Sequence, residues 1–429
     1  MKILKTSDKN FFKTFSKITQ RSETLAKGVD EAVAIILKNV RKRGDAALFQ
    51  YTRQFDQFSL NAKILEVTNQ EIKAAYQSIS QRDLENLELA ATRIQDFHAQ
   101  IQLNSWEYKK EGITLGQRVT PLKRVGIYVP GGKAAYPSTV LMNAIPASVA
   151  GVDEIIMVTP FPRGIMNPHV LVAADLAGVN RIFKVGGAQA IGALAYGTKL
   201  IPKVDKIVGP GNIFVATAKK QVYGQVAIDM IAGPSEITVV SDGIINPDWV
   251  AADLLSQAEH DEKASSILLS WNKKFLEDVK ESLDKYLKVL PRAPIAKKSL
   301  QAHGALILTK NENEAADLVN LIAPEHLELA VKEPRKLLPK IRNAGAIFLG
   351  NYTTESFGDY LAGPNHVLPT NGTARFSSPL STLDFVKFSS VIECNKDAVR
   401  KLGPSVAHLA ELEGLQAHGL AMKLRFNHS

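Results

Sequence analysis

At 429 residues, with 45% apolar and 22% charged side chains, the chain has the composition of an ordinary globular protein and is long enough for two or three domains. No segment approaches membrane-spanning length, the start Met-Lys-Ile-Leu-Lys has no apolar run behind it, and the single cysteine, Cys394, excludes an intrachain disulfide and fits a reducing cytosol. The net charge of +9 comes from basic residues spread along the chain, without a Lys/Arg tract interleaved with aromatics, so no nucleic-acid partner is expected.

Residues 1–23 are polar and basic and read as an arm outside any core. From Val29 to Phe55, and again from Gln70 to Ala99, apolar residues recur at helical spacing. Residues 106–121 read as a hairpin turning near Glu111-Gly112. At Arg124 a regular alternation begins. Apolar runs at 125–129, 154–159, 181–185 and 205–208 are separated or followed by helical segments near 137–150, 168–178, 188–196 and 212–223, a pattern that implies βαβ crossovers and a parallel sheet.

Three of these strands run into glycine, at Pro130-Gly131-Gly132, Gly186-Gly187 and Gly209-Pro210-Gly211-Asn212. Such turns gather at the carboxyl edge of the sheet, where open α/β folds bind ligands and helix starts accept phosphate. They can equally be plain tight turns, and the dinucleotide fingerprint G-x-G-x-x-G is absent. A second alternation follows, with strands at Ile237–Val240, Ser266–Leu269, Ala305–Leu308 and Ala346–Leu349 and helices near 247–260, 272–289 and 311–322. Two similar α/β halves imply a duplicated architecture with a cleft between them. Residues 351–381 are rich in Gly, Pro, Ser, Thr and Asn and read as a long loop. The tail from 381 has a strand pattern at Phe385–Ile392 and an amphipathic helix from Pro404, too small a core to stand alone.

Several residues could carry chemistry. Glu325-His326, after Pro324, sets two bases of different pKa side by side, and reads equally well as the start of a helix or strand. Gln257 and His260 share a helix face and could hold one metal ion, or His260 could simply close the helix against its dipole. Asp359 and His366 lie in the long loop; Glu413 and His418 are about 140° apart on an unbroken helix and converge only if Gly414 breaks it. Cys394 has no His or Asn beside it, which disfavours a thiol nucleophile, and no G-x-S-x-G elbow exists for a serine hydrolase. Metal-assisted chemistry on a nucleotide-binding scaffold survives, with a ligand set of two His, one Asp and one Gln that would suit zinc.

Taken together, Arg-Val-Gly-Ile-Tyr-Val-Pro-Gly-Gly (124–132), Gly-Gly-Ala-Gln-Ala-Ile (186–191), Gly-Pro-Gly-Asn (209–212), Ala-Gly-Pro-Ser-Glu (232–236) and Ser-Gln-Ala-Glu-His (256–260) resemble the histidinol dehydrogenase family. Ala-Pro-Glu-His-Leu-Glu (323–328), Gly-Asp-Tyr (358–360), Ala-Gly-Pro-Asn-His-Val-Leu-Pro-Thr (362–370), Ala-Arg-Phe-Ser-Ser-Pro-Leu-Ser (374–381) and Glu-Gly-Leu-Gln-Ala-His (413–418) continue the resemblance in order. It implies a cytoplasmic homodimer that oxidises L-histidinol to L-histidine with two NAD+ and one zinc ion per subunit. The metal would be held by Gln257, His260, Asp359 and His418, with His418 from the second subunit. Those four would also meet the substrate, together with Ser235, His326, His366 and Glu413, and Tyr128, Gln189 and Asn212 would line the NAD site. His326 would take the alcohol proton and Glu325 would activate water. The implied fold is two Rossmann-like α/β domains with a helical N-terminal region and a dimerisation tail. Residues 24–127 would join 235–380 in the zinc and catalytic domain, 128–234 would form the NAD domain, and 381–429 would reach the partner's site. A metal-dependent dehydrogenase of a related amino alcohol or sugar-like alcohol is the alternative, and a non-enzymatic binding protein on the same fold is the rival from another class.

Overall fold

A strand that returns after a helical crossover enters its sheet in the same direction, so the alternation in the sequence calls for parallel pairing. The computed structural model, which describes residues 1–19, 28–101, 103–131 and 136–427, contains two such sheets. One has five strands, ordered Arg181–Phe183, Glu154–Val158, Arg124–Tyr128, Lys206–Val208 and Ala227–Ile228. The other has six, ordered Lys2–Lys5, Ala305–Leu308, Ser265–Ser270, Glu236–Ser241, His326–Ala330 and Ala346–Leu349. Every pairing in both is parallel. Gly132, the last residue of one expected glycine turn, and residues 20–27 lie outside the described residues.

Parallel sheets are covered on both faces, and alternate residues supply both cores. In the five-stranded sheet, Tyr128, Ile156, Val158 and Phe183 pack with helices Val29–Arg43 and Gly187–Tyr196. Val125, Ile127, Ile155 and Met157 pack with Pro137–Val149 and Pro168–Leu176 on the other face. In the six-stranded sheet, Ile237, Val239 and Leu268 meet Pro247–Ala258 and Lys273–Tyr286, while Val240, Ile267 and Leu269 meet Glu312–Ile322. Gly126, in the middle strand, lets helix Gly187–Tyr196 come close, since a Cβ there would lie 2.8 Å from Leu194 Cδ1.

Several expectations need correction. Residues 1–19 are no free arm: Lys2–Lys5 pairs with Ala305–Leu308, and Phe11 and Phe15 are buried against the six-stranded sheet. The segment 24–127 does not belong with 235–380. Val33, Leu37 and Leu48 pack with Ile191 and Leu194, and Ala90 and Ile94 with Leu141 and Ile145, so the first helices cover the five-stranded sheet. A boundary at 127/128 would also cut that sheet's middle strand. Apolar stripes go to whichever sheet face is uncovered, whatever the sequence distance. The two long helical stretches are each two helices, broken at Gly44 in one and before the capping residue Ser80 in the other.

The hairpin Trp106–Lys110 and Ile113–Pro121 turns at Glu111 and Gly112 as expected, both with positive φ. Val386–Cys394 adds to it as a third, antiparallel strand. The tail helix starts earlier than Pro404: Asn395 caps Lys396–Leu412 by accepting from Ala398 N–H, and Pro404 stands inside. Gly414, with φ 73°, separates it from helix Gln416–Asn427. Within 351–381 there is a short helix, Glu355–Tyr360, where an unbroken loop was expected. Among the described residues no helix is long and apolar enough to cross a membrane.

Candidate active site

Helix Glu312–Ile322 ends at Ala323, which adopts a left-handed φ of 50°, and the chain turns through Pro324 and Glu325 into strand His326–Ala330. The proline therefore precedes a strand. His326 lies beside Ile237 and Ala346 at the amino edge of the six-stranded sheet. Helix Pro247–Ala258 follows strand Glu236–Ser241 and returns along the sheet, which brings Gln257 and then His260 to that same edge. Helix Glu355–Tyr360 presents Glu355 and Asp359, four apart and so on one face.

His326 Nδ1 lies 3.0 Å from the carbonyl oxygen of Glu236. A carbonyl only accepts, so Nδ1 carries the proton and Nε2 keeps its lone pair. Nε2 is buried without a hydrogen-bond partner among the described residues, 3.8 Å from Asp359 Oδ1. Glu355 Oε1 and Glu325 Oε2 lie 3.7 and 3.8 Å from Nδ1. Glu325 Oε2 also accepts from Glu236 N–H at 2.8 Å, so one residue's two backbone groups orient both members of the pair. Gln257, with its amide turned to donate, reaches Glu355 Oε2 at 3.2 Å. Glu328 Oε1 accepts from Glu355 N–H at 2.8 Å, and Thr354 Oγ1 donates to Asp253 Oδ1 at 2.9 Å. His366 Nδ1 stands 3.2 Å from the Asp359 carbonyl and its Nε2 3.4 Å from Thr139 Oγ1.

The electrostatics are those of crowded, desolvated acids. Burial, then the charges of Asp359, Glu328, Glu325 and Asp253, pushes the Glu355 carboxyl well above the usual range. Burial likewise raises Glu328, beside Asp253, and lifts Asp359 to about 7. Burial lowers His326 to about 3 against the pull of the Glu236 carbonyl, with His260 and His366 adding to the effect, and lowers His366 to about 4. Carboxyls that crowd one another beside an imidazole nitrogen with nothing to bind make a donor set for a cation. His326, Glu355 and Asp359 each offer a ligand atom, all within 4.8 Å of one another.

The expected cofactor residues lie at the carboxyl edge of the five-stranded sheet. Tyr128 ends its strand, accepts from Gly187 N–H at 3.1 Å through its hydroxyl oxygen, and is raised by burial to about 12. Gln189 is buried, and its Oε1 has no partner among the described residues. Asn212 caps helix Ile213–Val222 by accepting from Phe214 and Val215 N–H. Gly209 has φ 109°, and a Cβ there would lie 2.2 Å from the Tyr128 carbonyl oxygen, so only glycine fits. The approach of His366 to Thr139, at the start of helix Pro137–Val149, links this edge to the one that carries His326.

Ser235 precedes strand Glu236–Ser241, its carbonyl accepting from Ser265 N–H. Glu413 and His418 are exposed on the tail, and neither belongs to the group of side chains that could hold a metal among the described residues. Glu355, Glu328 and Asp253 were not anticipated. Their trace in the sequence was spacing: Asp253 four before Gln257, Glu355 four before Asp359, and Glu328 two after His326 on a strand.

Two parallel-sheet halves, one edged with glycine turns and the other carrying a buried imidazole among carboxyls, define a two-sheet α/β protein with a buried group of side chains that could hold a cation. A family model described as histidinol dehydrogenase matches residues 19–426. Histidinol dehydrogenase of Syntrophotalea carbinolica is 55% identical over 430 residues, covering 100% of both chains. That of Geobacter metallireducens is 54% identical over 427 residues, covering 99% of this chain and 98% of the relative. The crystal structure of histidinol dehydrogenase from Elizabethkingia anophelis superposes with a TM-score of 0.94 at 38% identity, covering 100% of this chain and 98% of that one. The chain belongs to the histidinol dehydrogenase family.

Proposed function

We propose that the protein oxidises L-histidinol through L-histidinal to L-histidine, the last steps of histidine biosynthesis, using zinc and two NAD+ per turnover. The observation that carries the mechanism is His326, whose Nδ1–H faces the Glu236 carbonyl while the buried Nε2 keeps a lone pair with no partner among the described residues. The buried donor set around it fits a dication. Gln257, His260 and Asp359 would hold zinc, with His418 supplied by a second copy of the chain. When bound, zinc supplies a fixed point for the imidazole and amine nitrogens of the substrate, and NAD+ supplies the hydride acceptor.

His326 Nε2 takes the hydroxyl proton in the first oxidation. Burial keeps the imidazole uncharged beforehand, and the Glu236 carbonyl that faces Nδ1, with Glu325 Oε2 3.8 Å from the same nitrogen, stabilises the imidazolium that results. Glu325 takes a proton from the water that adds to the aldehyde carbon, and the hydrate loses the second hydride. An aldehyde retained in this way needs no thiol, in keeping with Cys394 lying exposed at the end of a tail strand. Ser235, His366 and Glu413 would touch the substrate, and Tyr128, Gln189 and Asn212 would line the NAD site. The exposed Leu409, Leu412, Leu420 and Leu424 of the tail suit a homodimer. A cytoplasmic location goes with the biosynthetic role.

One observation favours a second reading of the metal site, in which His326, Glu355 and Asp359 are the ligands. His326→Ala separates the two. On the first reading the variant keeps its zinc and loses about 10²–10⁴ in the rate of histidinol oxidation, as expected for a missing general base. Loss of zinc from the purified variant would favour the second. Glu325→Gln should spare the first oxidation and slow that of supplied histidinal; equal losses of both half-reactions in both variants would end this division of roles.

A further inference from the structure

A buried ion pair between Lys219 and Asp229, with side chains only 3% and 1% exposed, stands behind the Gly209-Pro210-Gly211-Asn212 turn and has no part in the chemistry described above. Lys219 Nζ also donates to the Gly209 carbonyl at 2.9 Å, and Asp229 Oδ2 accepts from Gly209 N–H at 2.8 Å. Both backbone polar groups of one residue are thus held by opposite ends of a single ion pair. The partners come from different elements: Lys219 from helix Ile213–Val222, which starts at the turn, and Asp229 from just beyond strand Ala227–Ile228, its N–H bonded to the Ile207 carbonyl at 3.2 Å.

Burying two charges is a poor route to stability, since apolar side chains of similar volume usually do as well or better. What an ion pair gives that an apolar pair cannot is a fixed orientation for a polar backbone group. Here that group is the Gly209 backbone, wedged against the Tyr128 carbonyl at a distance that admits no Cβ. Tyr128 in turn holds Gly187 N–H, and beside Gly187 lies Oε1 of Gln189, without a partner among the described residues. The turn, the tyrosine and the second glycine turn therefore form one connected cradle, and the ion pair is its far support.

We propose that Lys219 and Asp229 are positioning residues that set the Gly209–Asn212 turn for NAD+ binding; this rests on the reading of that edge as the NAD site. The test uses the zinc-loaded, full-length protein and the variant Lys219→Met/Asp229→Leu, which fills the space without charge. The dissociation constant for NAD+ should rise about tenfold, the equivalent of roughly one well-made hydrogen bond. The KM for histidinol and the zinc content should stay within about twofold, which general loosening of the fold would not allow. Unchanged NAD+ affinity in a folded double variant overturns the inference. Should that variant not fold, Asp229→Asn keeps an oxygen for Gly209 N–H and removes only the charge; a rise of about threefold is then expected, and no rise overturns it. Gln189→Ala separates this inference from the reading beneath it. If it leaves NAD+ affinity unchanged, the NAD site is misplaced and the inference falls with it; if it weakens NAD+ while the pair substitution does not, only the inference falls.

Discussion

Two buried imidazoles illustrate how much a single hydrogen bond decides. His326 has the Glu236 carbonyl on one nitrogen and, among the described residues, no partner on the other. His98, near the end of helix Gln81–Ala99, is 0% exposed, lies edge-on to Phe97, and has no hydrogen-bond partner among the described residues on either nitrogen. Burial alone lowers it from 6.5 to about 4. With the folded value below the unfolded one, the unfolded chain takes up the proton first. His98 therefore contributes fully above about pH 6.5, and the contribution is lost as pH falls towards 4, at about 1.4 kcal/mol per pH unit. Denaturant unfolding across this window should show His98→Leu losing less stability than wild type. Equal losses would mean that His98 is solvated or bonded in solution.

At the level of elements, the strands from Arg124 to Val208 and their intervening helices could be read from the sequence. Apolar runs such as Ile155-Ile156-Met157-Val158 are long enough to bury both faces and end in glycine or proline. Lys2–Lys5 could not be, because two lysines flank two apolar residues and the partner strand is some three hundred residues away. Glu325-His326 is ambiguous by itself; what makes it a candidate site is the strand register that sets it beside Ile237 and the backbone of Glu236. The carboxyls behind it were hidden for a related reason. Glu355 sits in a Thr- and Gly-rich stretch that carries no helical periodicity, and its short helix is tied down from outside, by Glu328 on Glu355 N–H and by Asp253 on Thr354. Local pattern does not report such long-range support.

For the whole molecule, the two sheets present opposite edges to one another, the carboxyl edge with its glycine turns and the amino edge with His326 and its acids, linked where His366 meets Thr139. The tail enters a core only at its start, where Phe385 is buried with Val125 and Leu141 of the five-stranded half. It pairs with the hairpin through Val386–Cys394 and leaves Glu413 and His418 exposed, as residues destined for another copy of the chain would be. Mixing inactive His418→Ala subunits with inactive His260→Ala subunits should restore activity, because one hybrid site then keeps every ligand; a mixture that stays inactive after subunit exchange would rule out shared sites.

The most direct measurement counts NADH against histidinol with the zinc-loaded protein, before and after chelation. The proposed function predicts two NADH for each histidinol consumed, with histidine as product, and loss of both oxidations on chelation with recovery when zinc is returned. Release of free aldehyde at one NADH per histidinol, or no NADH from histidinol while a related amino alcohol is oxidised, would contradict it.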